Sequence, residues 1–383
     1  MKSFLLSFCS LFIIGTAATG QSTNNENSVT SESYNQLIPT KPEKIRETGS
    51  PMNIILMIGD GMGLTQISSA FYFKNSIPHY ARFNDVGLIR TSSTAKITDS
   101  AAGATAFASG QKTYNGAIGV DPDTISIPTI VEILSRQQWK TGLISTSSIT
   151  HATPACFYSH VKSRGMQEAI AAQLTTSEVD FIAGGGFGFF ADTSRSDGQD
   201  YLMELEKNGF QLNTKKLKKR IDADKKHAFL LGHNAMPTIL QGRGDFLPEA
   251  TALAIDYLDK GSEHFFLMVE GSMIDWGGHG NDTDFLVSEM IDFDDAIGVA
   301  LDFAQKDGNT LVIVTADHET GGFTLSSGDN YNQIKGTFST GGHSTTLLPA
   351  VAFGPGSELF RGIYENTEIF HNMLKAINTK KTN

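Results

Sequence analysis

Six short, largely apolar runs, at residues 53–58, 141–145, 179–183, 265–269, 310–314 and 350–353, restrict the folds open to this chain more than any other feature. The first reads Asn-Ile-Ile-Leu-Met-Ile. It lacks the alternation of a half-exposed strand and so reads as a strand covered on both faces. Stretches of helical character at 127–138, 247–258, 285–305 and 367–377 lie between and after the runs. Strands alternating with helices predict an α/β fold, a largely parallel central sheet with helices on both faces.

The first run begins only at residue 53. Residues 1–20 read as a secretory signal peptide: Lys2 is the charged start, 4–14 are largely apolar and 15–20 are small. The apolar stretch is too short to span a bilayer comfortably, and no later segment resembles a span. A polar leader at 21–50 is expected to be flexible, and 51–383 reads as one ordered domain. A periplasmic or secreted protein without membrane association follows. Removing the signal leaves one cysteine, Cys156, so no intrachain disulfide can form. With Phe157 and Tyr158 after it, Cys156 reads as a small buried residue. The formal net charge of −11 argues against a nucleic-acid partner, and it means that an anionic ligand would need local positive charge such as metal ions. Residues 191–231 depart from the apolar rhythm, and the basic run at 215–220 reads as a solvated face.

Residues 98–106, Thr-Asp-Ser-Ala-Ala-Gly-Ala-Thr-Ala, predict a helix, because alanine is the best helix former and Thr, Asp and Ser favour the N-cap. Ser100 would then either cap the helix or offer its hydroxyl at the positive end, where an anion is favoured.

Acids and imidazoles gather after the strands. Asp60 follows the first, His151 and Thr153 the second, Glu270 and then Asp275 and His279 the fourth, and Asp317 and His318 the fifth. A late glycine-rich loop adds His343. Singly, each has a plain explanation: turn chemistry for Asp60, or a polar strand end for Asp317 and His318. Asp275 and His279 would share a face of a helix, although Gly277 and Gly278 read at least as well as a loop. Ligands in open α/β sheets sit beyond the carboxyl ends of the strands. Gathering so many unpaired carboxylates there would be unfavourable unless divalent ions neutralise them. Imidazole and carboxylate without thiolate suit zinc and its neighbours, and an all-oxygen set suits magnesium.

The motifs at 59–63 (GDGMG), 98–102 (TDSAA), 152–155 (ATPA), 270–272 (EGS), 316–319 (ADHE) and 342–343 (GH) resemble those of the secreted bacterial alkaline phosphatases, in their compact cold-water form. The resemblance covers nearly all of 53–377 and implies a three-layer sandwich with the catalytic domain at 51–383. It implies hydrolysis of phosphate monoesters to alcohol and inorganic phosphate at alkaline pH, with Ser100 as nucleophile and a phosphoserine intermediate. One zinc would take Asp275, His279 and His343, and a second Asp60, Asp317 and His318. A magnesium would take Asp60, Thr153 and Glu270. Arg164 would grip the phosphoryl oxygens, a task suited to a planar guanidinium. A homodimer is also implied. His151 and Trp276 stand where the best-known enteric enzyme has Asp and Lys, which puts magnesium retention and phosphate affinity in question. The short stretch between His318 and His343 leaves little room for a large crown insertion, so an open site is expected. A sulfatase is disfavoured because Ser100-Ala101-Ala102 lacks the C/S-x-P-x-R context. A phosphodiesterase of the same superfamily and a non-catalytic phosphate- or metal-binding protein are the alternatives.

Overall fold

The computed structural model describes residues 53–262 and 264–378; the signal peptide at 1–20 and the leader at 21–50 lie outside the described residues. Ten strands form one sheet: β1 (Asn53–Gly59), β2 (Asp85–Arg90), β3 (Lys140–Ser148), β4 (Phe181–Gly185), β5 (Phe210–Asn213), β6 (Lys226–Gly232), β7 (Phe265–Gly271), β8 (Thr310–Thr315), β13 (Leu348–Phe353) and β14 (Gly362–Glu365). Two small antiparallel pairs lie between β8 and β13: β9 (Glu319–Thr320) with β12 (His343–Ser344), and β10 (Thr324–Ser327) with β11 (Ile334–Thr337). The sheet order is β14-β2-β13-β8-β1-β7-β3-β4-β6-β5. Pairing is parallel except where β13 runs antiparallel to β2 and β8.

The helices are α1 (Leu64–Phe73), α2 (Ser100–Ser109), α3 (Ile130–Ser135), α4 (Ala152–Ala155), α5 (Gln167–Thr175), α6 (Tyr201–Lys207), α7 (Phe246–Gly261), α8 (Met273–His279), α9 (Thr283–Asp307) and α10 (Glu368–Asn378). α9 packs against α1, α7 and α8 and lies over β1, β7 and β8, while α2 packs with α3, α4 and α10. The centre of the sheet between them is buried. Ile54 to Ile58 of β1 and Leu311 to Val314 of β8 are fully buried, each large side chain contributing ~1.5–3 kcal/mol by leaving water. Among the described residues, no helix is long and apolar enough to cross a membrane.

All six apolar runs are strands, and the four expected helices are present with shifted ends. The first, expected over 127–138, is only α3, because a capping box between Thr129 and Glu132 starts it late. The polar segment 191–231 holds α6, β5 and most of β6, and the basic run at 215–220 lies in the loop between those two strands, largely exposed as expected.

Candidate active site

The carboxyl ends of β1, β3, β7 and β8 lie side by side in the centre of the sheet, and the chain leaving each delivers a side chain. After β1 the turn carries Asp60. Gly61 beside it has φ +73°, and a Cβ there would meet the Asp275 Cα at 2.7 Å, so glycine lets this turn press against α8. The Gly61 N–H donates to Asp317 Oδ1 (3.2 Å), and the His318 N–H donates to the same oxygen (2.9 Å).

Ser100 opens α2 but does not cap it. The cap is Asp99, whose carboxylate accepts from the Ala102 N–H at 3.0 Å. That leaves the serine hydroxyl, on a residue only 2 % exposed, free to face the metal-type ligands. Ser100 Oγ is 3.2 Å from His318 Nε2 and 3.5 Å from Asp60 Oδ1. His318 Nε2 is in turn 3.4 Å from both Asp60 Oδ1 and Asp317 Oδ2. Gly103 permits this closeness, since a Cβ on it would sit 3.0 Å from the Asp317 Cβ.

A second cluster joins Asp275 and His279 of α8 to His343 of β12. His279 and His343 stand 3.4 and 3.7 Å from Asp275 Oδ1, and their Nε2 atoms are 3.2 Å apart. Each Nδ1 faces a carbonyl, Gly341 O at 2.7 Å for His279 and Thr98 O at 2.9 Å for His343. A carbonyl only accepts, so the protons sit on Nδ1 and both Nε2 atoms present bare lone pairs to each other. Such a pair calls for a cation. The spacing is close to the edge of a tetrahedron with zinc–nitrogen bonds, about 3.3 Å. The distances around His318 fit the same edge. Asp275 lies between the clusters, within 4.8 Å of Asp60 and His318 as well.

Asp60, His151 and Glu270 form a third group. Asp60 Oδ2, Glu270 Oε1, Thr153 Oγ1 and Asp317 Oδ2 are buried with no hydrogen-bond partner among the described residues, an arrangement that is costly unless an ion fills the gap. Ser145 Oγ donates to Glu270 Oε2 at 2.7 Å, leaving Oε1 free. Burial pushes the Glu270 carboxyl up to about 7 and Asp317, with the Asp275 charge beside it, up to about 6. Burial and then Asp317, Asp275 and Glu270 hold Asp60 well above the usual carboxylate range. Each direction is that of a carboxylate short of positive charge.

Arg164 reaches back from the segment after α4. Its Nη1 donates to Asp99 Oδ2 at 3.1 Å and its Nη2 faces His151 Nε2 at 3.2 Å. Guanidinium only donates, so the proton of neutral His151 sits on Nδ1. Burial, then Arg164, drives His151 down to about 3, so the ring stays neutral. Its Nδ1–H is a donor where a hard cation wants an oxygen, so His151 adds no oxygen ligand to the third group. Trp276 stands edge-on to His151, ring centroids 6.2 Å apart, as a wall beside it.

All the sequence-derived site residues converge here. The helix α8 settles the alternative for Asp275 and His279, which share one face. Its glycines lie where a Cβ would strike Leu286 N at 2.6 Å or Thr320 O at 2.8 Å, so they serve close packing and not a loop. The His279 side chain is 42 % exposed, so the site reaches the surface at its histidine end. Cys156 is buried, its Sγ donating to Ala101 O at 3.2 Å. Two residues were not singled out for the site from the sequence, although Asp99 lay within the Thr-Asp-Ser capping group. Asp99 both caps α2 and holds Arg164, and Thr320 Oγ1 lies 3.1 Å from His318 Nδ1 and 2.5 Å from Asp275 Oδ1.

Residues 51–337 match the family model described as alkaline phosphatase. The alkaline phosphatase of the Antarctic bacterium TAB5 is 55% identical with a TM-score of 0.83, over 87% of this chain and 99% of that one. A histidine-to-aspartate variant of that enzyme, with Mg bound in its M3 site, is 54% identical with a TM-score of 0.84 over the same shares. Alkaline phosphatase 4 of Bacillus subtilis (strain 168) is 33% identical, over 86% of this chain and 89% of its own length. The chain belongs to the alkaline phosphatase family and is an enzyme of this type.

Proposed function

We propose that the chain hydrolyses phosphate monoesters at alkaline pH through a phosphoserine on Ser100. The observation that carries this reading is the approach of Ser100 Oγ to His318 Nε2 and Asp60 Oδ1, at 3.2 and 3.5 Å, beside buried donors that have no partner. Asp275, His279 and His343 would hold one zinc, and Asp60, Asp317 and His318 a second. Asp60, Thr153 and Glu270 would hold a magnesium, less firmly because His151 offers no oxygen. Bound there, such ions lower the pKa of a hydroxyl or water and neutralise charge on the attacking and leaving oxygens of an in-line displacement.

The chain's own residues do the rest. The helix start aims Ser100 Oγ at phosphorus, and Arg164, held by Asp99, donates two parallel hydrogen bonds to phosphoryl oxygens. The new Oγ–P bond replaces the bond from phosphorus to the alcohol, which departs. Water then opens the Oγ–P bond, giving inorganic phosphate and restoring the serine. The signal-like residues 1–20 favour a periplasmic or secreted location, and a homodimer is the expected assembly.

The test is turnover of p-nitrophenyl phosphate and of its diester analogue at alkaline pH, before and after chelation, with zinc and magnesium restored separately. Monoester turnover lost on chelation and regained with zinc is expected, and Ser100→Ala should trap no labelled phosphoenzyme. Diester preference, indifference to chelation, or a phosphoenzyme surviving in Ser100→Ala would overturn the reading.

A further inference from the structure

We infer that Asn115 is a positioning residue that sets the spacing between Ser100 and Arg164, acting from a turn that touches neither substrate nor metal ligand. Residues 114–117 close a β-turn: the Ala117 N–H donates to Tyr114 O at 3.2 Å, and Gly116 occupies φ +89°, the conformation a glycine takes at the third position of such a turn. This turn hydrogen-bonds in two directions.

Toward the serine, the Asn115 side chain pairs with the segment that enters α2. Its Nδ2 donates to Ile97 O at 3.0 Å, and its Oδ1 accepts from the Asp99 N–H at 3.3 Å. One amide thus grips a carbonyl and an N–H two residues apart, as a neighbouring strand would. The carbonyl between them, Thr98 O, faces His343 Nδ1 at 2.9 Å on the other side. The three residues before Ser100 are therefore held from both edges, by Asn115 and by a histidine of the site.

Toward the arginine, the same turn carries the segment that ends at Arg164. The Arg164 N–H donates to Gly116 O at 2.7 Å, Tyr114 Oη donates to Lys162 O at 2.9 Å, and Ile118 and Val161 exchange backbone hydrogen bonds at 3.0 Å. Asp99 and Arg164 then close the circuit through their 3.1 Å ion pair. A displacement of the turn moves the segment leading to the nucleophile and the guanidinium together.

This inference rests on the roles assigned above to Ser100 and Arg164. The test compares Asn115→Ala, Tyr114→Phe and Ser100→Ala in the metal-loaded enzyme, reading kcat, KM, inhibition by inorganic phosphate and the thermal midpoint. Asn115 is exposed, so Asn115→Ala is expected to fold with an unchanged midpoint. It should lower kcat/KM and weaken phosphate inhibition by roughly five- to tenfold, the scale of one or two hydrogen bonds open to solvent. Tyr114→Phe, which loosens only the arginine side, should weaken phosphate inhibition several-fold and leave kcat near its starting value. In a double-mutant cycle, Asn115→Ala and Asp99→Ala should be less than additive. Unchanged constants in a folded Asn115→Ala overturn the inference; if that variant does not fold, unchanged phosphate inhibition in Tyr114→Phe does so. Turnover persisting in Ser100→Ala is a different outcome, and it overturns the assignment of the nucleophile.

Discussion

Thr320 shows how one hydroxyl can govern two ligands. Its single proton goes to Asp275 at 2.5 Å, so its oxygen accepts from His318 Nδ1–H at 3.1 Å. That fixes the tautomer of His318 and leaves its Nε2 bare toward Ser100, Asp60 and Asp317. Outer partners of this kind are worth about 10–100-fold in metal affinity. Thr320→Val keeps the shape and removes the hydroxyl, so zinc affinity measured by competition with a chelator should fall within that range while the fold is retained. An unchanged affinity would mean that His318 is oriented by packing alone. Thr320 was not legible in the sequence. Asp60, Asp317 and His318 stood out because they follow apolar runs, whereas the role of Thr320 depends on the pairing of β9 with β12, which places it opposite His343. Asp99 was masked differently: next to a serine in a capping motif, only geometry decides which residue caps.

At the scale of elements, His160 joins α3 to the segment bearing Arg164. Its Nε2 meets Glu132 at 3.1 Å and its Nδ1 donates to Gly119 O at 2.6 Å, while Gln173 Oε1 accepts its backbone N–H at 2.7 Å. Arg136 and Glu178 line the same cavity of about 260 Å³. The bond to Glu132 raises the His160 imidazole above its usual 6.5, and the bond from His160 holds Glu132 below 4.5. For the histidine, stabilisation is complete below 6.5 and is lost as pH rises through its raised value. For the carboxylate it is present above 4.5 and lost as pH falls through its lowered value. The pair therefore helps most between these two limits and contributes little charge attraction at alkaline pH. His160→Gln should destabilise the protein in urea unfolding at pH 5.5 and by clearly less at pH 9; an equal loss at both would show that packing, not charge, is what His160 supplies. The elements themselves were unevenly legible. Central strands announced themselves because burial on both faces makes them apolar throughout. β2 alternates buried and exposed residues, Asp85 to Arg90, and β5 and β14 have four residues each at the edges, too short and mixed to stand out. The reversed direction of β13 was hidden because the excursion through β9 to β12, and not its own residues, brings the chain back at the carboxyl end of the sheet.

At the scale of the molecule, the acidic chain places its densest buried negative charge where four separate elements meet. Asp60, Glu270, Asp275 and Asp317 come from the ends of β1, β7 and β8 and from α8, and all are buried. In the unfolded chain these groups are dispersed and solvated, so a cation that binds them together binds the native state alone. Mass action then gives a stabilisation of ~4 kcal/mol for an ion at a thousand times its dissociation constant. A domain this large shifts its midpoint by roughly 2 °C for each kcal/mol, so each tightly held ion should be worth on the order of 8 °C. Chelation is therefore expected to lower the thermal midpoint by more than ten degrees, and zinc should restore most of it. Magnesium added after zinc should give a smaller gain, because His151 adds no oxygen ligand to that group. Glu270→Gln should erase the magnesium increment and leave the zinc increment in place, since Glu270 is proposed as a ligand of magnesium and of neither zinc. A midpoint that ignores chelation would show that the buried carboxylates are neutralised by protons instead, with the raised values of Glu270 and Asp317 sufficient to keep the site intact without metal.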